Sequence, residues 1–328
     1  MTIRKNQYTA SQIPTIPQPK KESSENPLAS FFRKSKFTLK LPSKGMWYPK
    51  NSLSLDAGGV PVYAMNAADD IKFRTGDATM TGKNIYEVIQ SCIPSISDPK
   101  MIPHIDLDSL FLAIRLASYG DEFEFVVDVP NTKLNRKINL KASSLLQELA
   151  SRNNIWDDEL EIVDESGKIL RLNIHPIPLH KIFSTSKVLH TQKYNLNKNL
   201  DADQNIRDEA AYTSSMSAMT DSALDLLCSS IHQMELIDST GAIMLSLASD
   251  APQDSAEIVK LIRNMDIEYF NAIRDHINAQ RSKFIFTSPM QYSTEEERKA
   301  GAPEKWVAEL SFVGSNFLPE QKNTTGIM

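Results

Sequence analysis

The sequence contains very little cysteine, and this scarcity limits the kinds of site that it can build. Only Cys92 and Cys228 occur among the 328 residues, and they lie far apart in the chain. Two distant cysteines form neither a disulfide framework nor a structural zinc site, which needs about four ligands. Free thiols are typical of a reducing cytoplasm, so we expect a protein that does not depend on disulfide bonds.

Long hydrophobic runs are also missing. No apolar segment approaches the roughly 18 residues that are needed to cross a bilayer. The first residues include no apolar segment of the kind found in secretory signals. We therefore expect no membrane partner and a cytoplasmic location.

Nucleotide-binding motifs are absent as well. The chain has neither G-x-x-x-x-G-K nor G-x-G-x-x-G. The segment Gly76–Lys83, GDATMTGK, has one residue too many between its glycines, and Asn84 stands where a serine or threonine would bind magnesium. We therefore expect no nucleotide cofactor.

Residues that could carry catalysis or bind a metal are not grouped in the sequence. The acid pairs Asp69-Asp70 and Asp157-Asp158 are adjacent, so their side chains point apart. Ser184, Ser186 and His190 have no visible acid to orient the histidine. We predict no enzyme activity, no catalytic residue, no cofactor and no metal site. The histidines show no metal-ligand spacing on one helical face: His104, His175, His180, His190, His232 and His276.

What the chain does contain is an ordinary globular composition with an uneven distribution of charge. Apolar residues make up 41% and charged residues 23%, and the length suffices for about two domains. The net charge of −5 divides into +5 over residues 1–36 and −10 over the remainder. With four prolines and little periodicity, residues 1–36 are predicted to be a disordered basic arm. Such an arm could meet an acidic protein surface, nucleic acid or only solvent.

Strand and helix patterns alternate over residues 37–178 and predict a β-rich domain. We expect Asp108 to cap its helix, Gly120 to end it, and Pro176 and Pro178 to end the sheet region. Spacings of three and four residues predict helices at Ala67–Arg74, Asn84–Cys92, Asp108–Tyr119 and Leu145–Ala150. Alternation predicts strands at Phe37–Leu41, Val60–Met65, Phe123–Val129, Lys137–Leu140, Leu160–Val163 and Ile169–Ile174.

Residues 179–328 are predicted to form a helical region that ends in a strand pair. The helices are expected at Leu179–Lys193, Arg207–Leu236 and Asp254–Gln280, and the strands at Lys283–Phe286 and Trp306–Phe312. The predicted fold class is therefore α+β. A β-rich N-terminal domain with interspersed helices is followed by a long-helix C-terminal region that ends in a short β-hairpin.

The segment Phe37–Pro49, FTLKLPSKGMWYP, joins a short strand to a tight turn and an aromatic pair. It has no nucleophile, phosphate loop or metal ligand, so we interpret it as a docking or packing element. Trp47 and Tyr48 either pack in the core or anchor an interface. Arg115 lies in an apolar helix, where its head group either pairs with a carboxylate or contacts a partner subunit. Phe37, Trp47, Tyr48 and Arg115 are the candidate interface residues.

Several blocks of sequence occur in the order found in one family of phage proteins. They are FTLKLPSKGMWYP, VYAMNAADD, TGKNIYEVIQSCI and LDSLFLAIRLASYGDEFEFVVDVP. In this order the chain resembles the T-even-type phage baseplate hub and baseplate assembly protein family. The resemblance covers residues 37–180 well and extends more weakly to the closing GSNFLP, Gly314–Pro319.

One departure from the family pattern concerns metal. Many relatives carry Cys-Pro-x-Cys after the charged strand and again near the C-terminus, in a unit like a zinc ribbon. In this chain the first place reads VPNT, Val129–Thr132, and the second contains Ser288-Pro289. Without these ligands, we expect the strand–loop–strand units 122–140 and 283–312 to pair through apolar packing rather than zinc.

The resemblance implies a structural or assembly component of a contractile phage tail baseplate, in its hub region. Such a protein acts through contacts with other baseplate and tail proteins, and self-association stays open. It would occur in the host cytoplasm during assembly and in the baseplate of the virion tail. One alternative is a transient assembly chaperone that is absent from the mature virion. Another is a nucleic-acid-binding protein that uses the basic arm, although the acidic body counts against it.

Overall fold

A computed structural model describes residues 33–74, 82–200 and 209–312, and it shows an α+β fold. The predicted fold class is thus confirmed, while most of the predicted basic arm lies outside the described residues. The helices are α1 (Ala67–Arg74), α2 (Lys83–Cys92), α3 (His104–Tyr119), α4 (Ala142–Ser151), α5 (Leu179–Leu200), α6 (Glu209–Cys228), α7 (Pro252–Arg263), α8 (Ile267–Ser282) and α9 (Glu295–Lys299). The strands are β1 (Ser35–Leu39), β2 (Val60–Tyr63), β3 (Glu122–Asp128), β4 (Asn135–Lys141), β5 (Glu159–Val163), β6 (Ile169–Ile174), β7 (Ile231–Ile237), β8 (Ile243–Ala248), β9 (Phe286–Thr287), β10 (Gln291–Tyr292), β11 (Lys305–Trp306) and β12 (Glu309–Leu310).

The elements predicted for the N-terminal half are present with small shifts of their ends. β1 pairs with β2, β3 with β4 and β5 with β6, all antiparallel. The β5–β6 hairpin turns at Asp164–Gly167, between the two predicted strands Leu160–Val163 and Ile169–Ile174. Helices α1, α2 and α4 also lie within a few residues of the predicted ranges.

The predicted cap of α3 is wrong. The helix begins at His104, directly after Pro103, so Asp108 lies inside it. Asp108 instead accepts a 2.8 Å hydrogen bond at Oδ1 from the backbone N–H of Phe312. In a sequence, a polar residue inside a helix can look like a residue that caps the helix. Here the contact of Asp108 with the distant Phe312 shows that Asp108 is not a cap. Gly120 ends the helix with a φ of +93°, as predicted.

The predicted helix Arg207–Leu236 is wrong in its last part. Helix α6 ends at Cys228, and the chain continues as β7, which pairs with β6 and with β8. The resulting sheet has the order β5-β6-β7-β8. Pro176 and Pro178 therefore end β6 but not the sheet. The irregular register between β7 and its neighbours disturbs the alternation that would have marked a strand in the sequence.

The predicted helix Asp254–Gln280 is in fact two helices. Helix α7 ends at Arg263, and α8 begins at Ile267. Asp266 caps α8, since its side chain accepts a hydrogen bond from the backbone N–H of Glu268. Apolar residues keep a helical spacing across this break, so periodicity alone joined the two helices.

The apolar core of the described residues contains two clusters. One cluster contains residues of the four strands β1, β2, β3 and β4 and of the helices α2, α3 and α4. The C-terminal residues Phe286, Trp306 and Phe312 belong to the same cluster. The other lies between the β6–β7 part of the sheet and the helices α7 and α8, with Trp156. The sheet takes two strands from each side of the predicted boundary at residue 178. The division into domains 37–178 and 179–328 stays a prediction.

Two features complete the C-terminal half. Helices α5 and α6 pack against each other as a long hairpin. The predicted terminal strand pair takes the form of two short ladders, β9 with β12 and β10 with β11. No helix in the described ranges is long and apolar enough to span a membrane.

Candidate functional site

The turn that follows β1 is fastened to α3 through one buried carboxylate. Asp106 in α3 is 0% exposed, and its Oδ1 accepts a 2.7 Å hydrogen bond from the backbone N–H of Ser43. Its Oδ2 accepts from the Ser43 hydroxyl at 2.5 Å and from the Tyr48 hydroxyl at 2.9 Å. Burying a carboxylate without donors would be costly, so these bonds are what allows Asp106 to lie here.

Burial has the largest effect on the pKa of the Asp106 carboxyl group. It raises the pKa of Asp106 to about 6, although the hydrogen bonds from Ser43 and Tyr48 act to lower it. Burial also raises the pKa of Tyr48 far above its ordinary value, with a further contribution from the charge of Asp106. Tyr48 therefore stays a hydrogen-bond donor at any physiological pH, and its role in this structure is to hold the turn.

Trp47, the other half of the aromatic pair, is half-buried and has an unusual backbone. Its φ is +64°, a left-handed conformation that is uncommon for a bulky side chain. Its ring centroid lies 6.2 Å from that of Trp156, edge-on, and 6.1 Å from that of His175. Aromatic contacts at these distances are favourable and hold the ring in place. The turn thus presents Trp47 in a fixed position.

Trp47 and Tyr48 border an open cleft of about 1000 Å³. Its walls come from the turn after β1, from α5, α6 and α7, and from the ends of β6 and β8. Among the described residues that line it, Lys181 and Asp225 are the only ones of the lysine, arginine, aspartate and glutamate types. The remaining surface combines hydroxyl groups, aromatic rings and the prolines Pro49, Pro103, Pro176, Pro178 and Pro252.

Two histidines that are distant in sequence stack inside this cleft. The rings of His175 and His232 lie 4.4 Å apart and almost parallel. Pairing of the chain around β6 and β7 brings them together, with a 2.7 Å bond from the His175 N–H to the Ser230 carbonyl. Burial, together with a smaller contribution from the neighbouring His232, lowers the pKa of His175 to about 4. The sequence did not reveal this pair, because the β7 residues were predicted to be helical.

The groups in the cleft are poorly prepared for nucleophilic chemistry. Cys228 is buried, and burial raises the pKa of its thiol to about 12, with a further contribution from Asp225. Such a thiol is protonated at neutral pH and a weak nucleophile. Among the described residues, no three His, Cys, Asp or Glu side chains are grouped to hold a metal ion. The cleft offers contact surface, with rings and hydroxyls at fixed positions.

A family model described as "T4 bacteriophage base plate protein" matches residues 34–300 of the chain. The protein belongs to this family. Comparison with curated proteins and with solved structures finds no match. The family assignment confirms the resemblance seen in the sequence blocks, and it makes the chain a phage baseplate protein. The matched range contains both the turn after β1 and every wall of the cleft.

The other two candidate interface residues of this baseplate protein lie away from the cleft lining. Phe37 in β1 is half-buried against the core and faces Val62 of β2. Arg115 in α3 is only 4% exposed, and its guanidinium carbon lies 4.6 Å from the ring centroid of Phe123. An interface role for Arg115 stays a prediction, and its burial does not support it.

Apolar contacts join the two strand–loop–strand units of the baseplate protein, and that they do so in place of zinc stays a prediction. The ring of Phe312 lies 6.0 Å from Phe123, 5.5 Å from Phe125 and 5.6 Å from Phe286. At Ser288-Pro289, the place compared in the sequence with the second cysteine pair of the family pattern, the hydroxyl of Ser288 accepts a 3.0 Å hydrogen bond from the Ala308 N–H. A short hydrogen-bonded loop therefore occupies that place.

An ion pair that the sequence did not reveal also joins the two units. The guanidinium of Arg136 in β4 donates to both carboxylate oxygens of Glu297 in α9, with a distance of 2.9 Å from Nε to Oε1. The same guanidinium donates to the Tyr292 carbonyl at 3.0 Å and lies 5.4 Å from the ring centroid of Trp306. Residues 136 and 297 are too distant in sequence for any local pattern to connect them.

Proposed function

We propose that this protein is a non-enzymatic component of the hub region of a contractile tail baseplate, where it docks other baseplate proteins through the Trp47 cleft. The observation that carries the proposal is the fixed position of Trp47 at the edge of a large, weakly charged cleft. Aromatic anchors on a rigid support are typical of the residues that dominate protein–protein interfaces. Membership of the baseplate family supplies the partners, which are other phage tail proteins.

The network behind the turn supports this role. Ser43, Tyr48 and Asp106 hold the turn through three hydrogen bonds, so Trp47 does not need to be ordered when a partner binds. A surface that is ordered in advance binds more tightly, because less conformational entropy is lost on association. Rings, prolines and hydroxyls together suit an extended protein segment, which presents both apolar side chains and backbone polar groups.

Co-purification with other baseplate proteins expressed in the host cytoplasm tests this proposal. Trp47→Ala removes the anchor, and Val188→Gln changes an exposed apolar residue in the cleft wall on α5 without opening the core. Both variants should lose captured baseplate partners. Tyr292→Ala is the control, since Tyr292 is 64% exposed and lies outside the cleft. Full partner capture by both folded cleft variants would refute the proposal.

Mass spectrometry of purified virions distinguishes a structural component from an assembly chaperone. We expect peptides of this protein in the mature particle, at a level comparable with other baseplate proteins. Presence in assembly intermediates together with absence from virions would instead assign it the chaperone role. Binding to nucleic acid through the basic arm would appear as a salt-dependent shift of DNA by the full chain.

A further inference from the structure

A second, more apolar groove lies on the other side of the α5–α6 hairpin. It has a volume of about 490 Å³ and is formed by α3, α5, α6 and α8. Many of its apolar lining residues are only half-buried, so the groove leaves hydrophobic surface in contact with solvent. The half-buried apolar residues that line it include Ile177, Ile182, Leu226 and Leu227.

One rim of this groove carries positive charge. Arg274 and Arg281 of α8 both line it and are exposed. Arg274 already has an acidic neighbour, since its guanidinium lies 3.0 Å from Asp275. Arg281 acts on two groups that line the groove. It adds to the effect of burial in lowering the pKa of His104 to about 4, and its charge opposes the burial that raises the pKa of Asp108. An occupant with apolar side chains and a carboxylate would fit this arrangement.

The described part of the chain ends at the mouth of the same groove. Ser311 lines it, and the next residue, Phe312, is 0% exposed. The Phe312 N–H is bonded to Asp108, which is another lining residue. Whatever follows Phe312 must therefore start beside the groove.

The sequence that follows has the chemistry that the groove requires. It reads VGSNFLPE over residues 313–320, with Phe317 and Leu318 as adjacent large apolar residues and Glu320 as the first acid. Five residues of extended chain reach roughly 17 Å, so Phe317 can reach any part of a groove that begins at residue 311. A segment tethered at the mouth also has a high effective concentration there, which a free partner lacks.

We propose that the C-terminal segment occupies this groove in its own chain, with Phe317 and Leu318 against α6 and α8 and Glu320 near Arg281. The segment then fastens the base of the α5–α6 hairpin to α8. This inference is independent of the Trp47 cleft, which lies on the opposite side of the hairpin and does not share these apolar residues.

Disulfide trapping in the full-length protein tests the position of the segment. Ala223→Cys in the groove wall, combined with Leu318→Cys, should give an intramolecular disulfide under mild oxidation, detected by mass spectrometry of linked peptides. The native thiols Cys92 and Cys228 are buried and should not compete. Ser255→Cys with Leu318→Cys is the matched control, because Ser255 lines the other cleft. A disulfide between two molecules, or equal yields from the two pairs, would overturn the proposal.

Hydrogen exchange provides a second measurement that does not depend on disulfide geometry. In the full chain, Phe317→Asp with Leu318→Asp should speed amide exchange in the groove-lining parts of α6 and α8 several-fold and leave α7 unchanged. Ile327→Asp, further along the same terminus, adds the same type of charge and should change nothing. If exchange in α6 and α8 is equal in both variants, the groove is left for another protein and the proposal fails.

Discussion

The hydroxyl of Tyr48 donates a 2.9 Å hydrogen bond to Oδ2 of Asp106, a carboxyl group that is fully buried in α3. The two residues are 58 positions apart in the chain. This bond explains why the turn ends in an aromatic residue with a hydroxyl group. The Tyr48 hydroxyl binds Asp106 on the inner side of the turn, whereas Trp47 borders the cleft.

Tyr48→Phe should destabilise the fold without changing the shape of the core. It removes one donor from a buried carboxyl group, and we expect a loss of about 1–3 kcal/mol in the free energy of unfolding, measured by chemical denaturation. Tyr292→Phe, at an exposed site, is the control and should change stability by less than about 0.5 kcal/mol. Equal effects of the two substitutions would show that the Tyr48 bond adds nothing to stability.

The same carboxyl group should make stability depend on pH. The pKa of Asp106 is about 6 in the folded protein and about 3.9 in an unfolded chain. Between these values the folded state binds more protons, so this contribution to stability is complete below about pH 4 and is lost as pH rises to about 6. Wild type compared with Asp106→Asn isolates it from the histidines. The stability difference should fall over this range and stay constant above it, whereas a rising difference would contradict the assignment.

The sequence predicted local elements well and long-range relations poorly. Alternation of apolar and polar residues located β5 and β6, because the two strands of a hairpin are neighbours in sequence and each carries its own pattern. The β7 strand was missed, since its pairing with β6 depends on residues far away in the chain. The role of Asp106 as the acceptor that holds the turn was missed for the same reason, since Ser43 and Tyr48 are far from it in sequence. Its signal was an acidic residue two positions before the predicted start of an apolar helix, and this signal does not identify Ser43 and Tyr48 as its hydrogen-bond donors.

The glycine at position 82, which is part of a sequence similar to a phosphate loop, is explained by the local structure. The Gly82-Lys83 pair resembled the end of a phosphate loop, yet Gly82 precedes α2 with a φ of +68°. A Cβ atom on Gly82 would lie 2.6 Å from Cδ2 of Phe183 in α5. Glycine is therefore required both by backbone conformation and by close packing of α2 against α5.

Gly82→Ala should therefore cost about 2–4 kcal/mol in the free energy of unfolding, from left-handed strain together with displacement of Phe183. Gly120→Ala measures backbone strain without a clash, because Gly120 has a φ of +93° and a ψ of −177° and no atom within 4 Å of a Cβ built on it. It should cost about 1–3 kcal/mol, from strain alone. Phe183→Leu should reduce the penalty of Gly82→Ala in a double-mutant cycle. A penalty that is unchanged by Phe183→Leu would exclude the clash as its cause.

The ion pair between Arg136 and Glu297 should stabilise the contact between the two strand–loop–strand units. Their side chains are only 18% and 10% exposed, so Glu297→Gln leaves a guanidinium largely out of water without its charged partner. We expect a loss of roughly 2 kcal/mol in the free energy of unfolding. Glu161→Gln is the matched control, because it breaks the exposed pair of Arg171 and Glu161, where little stability is expected. Hydrogen exchange should also rise in β4 and α9 of Glu297→Gln, where Arg136 joins the two units. If the two substitutions have the same effect on stability, the pair of Arg136 and Glu297 contributes no more than an exposed ion pair does.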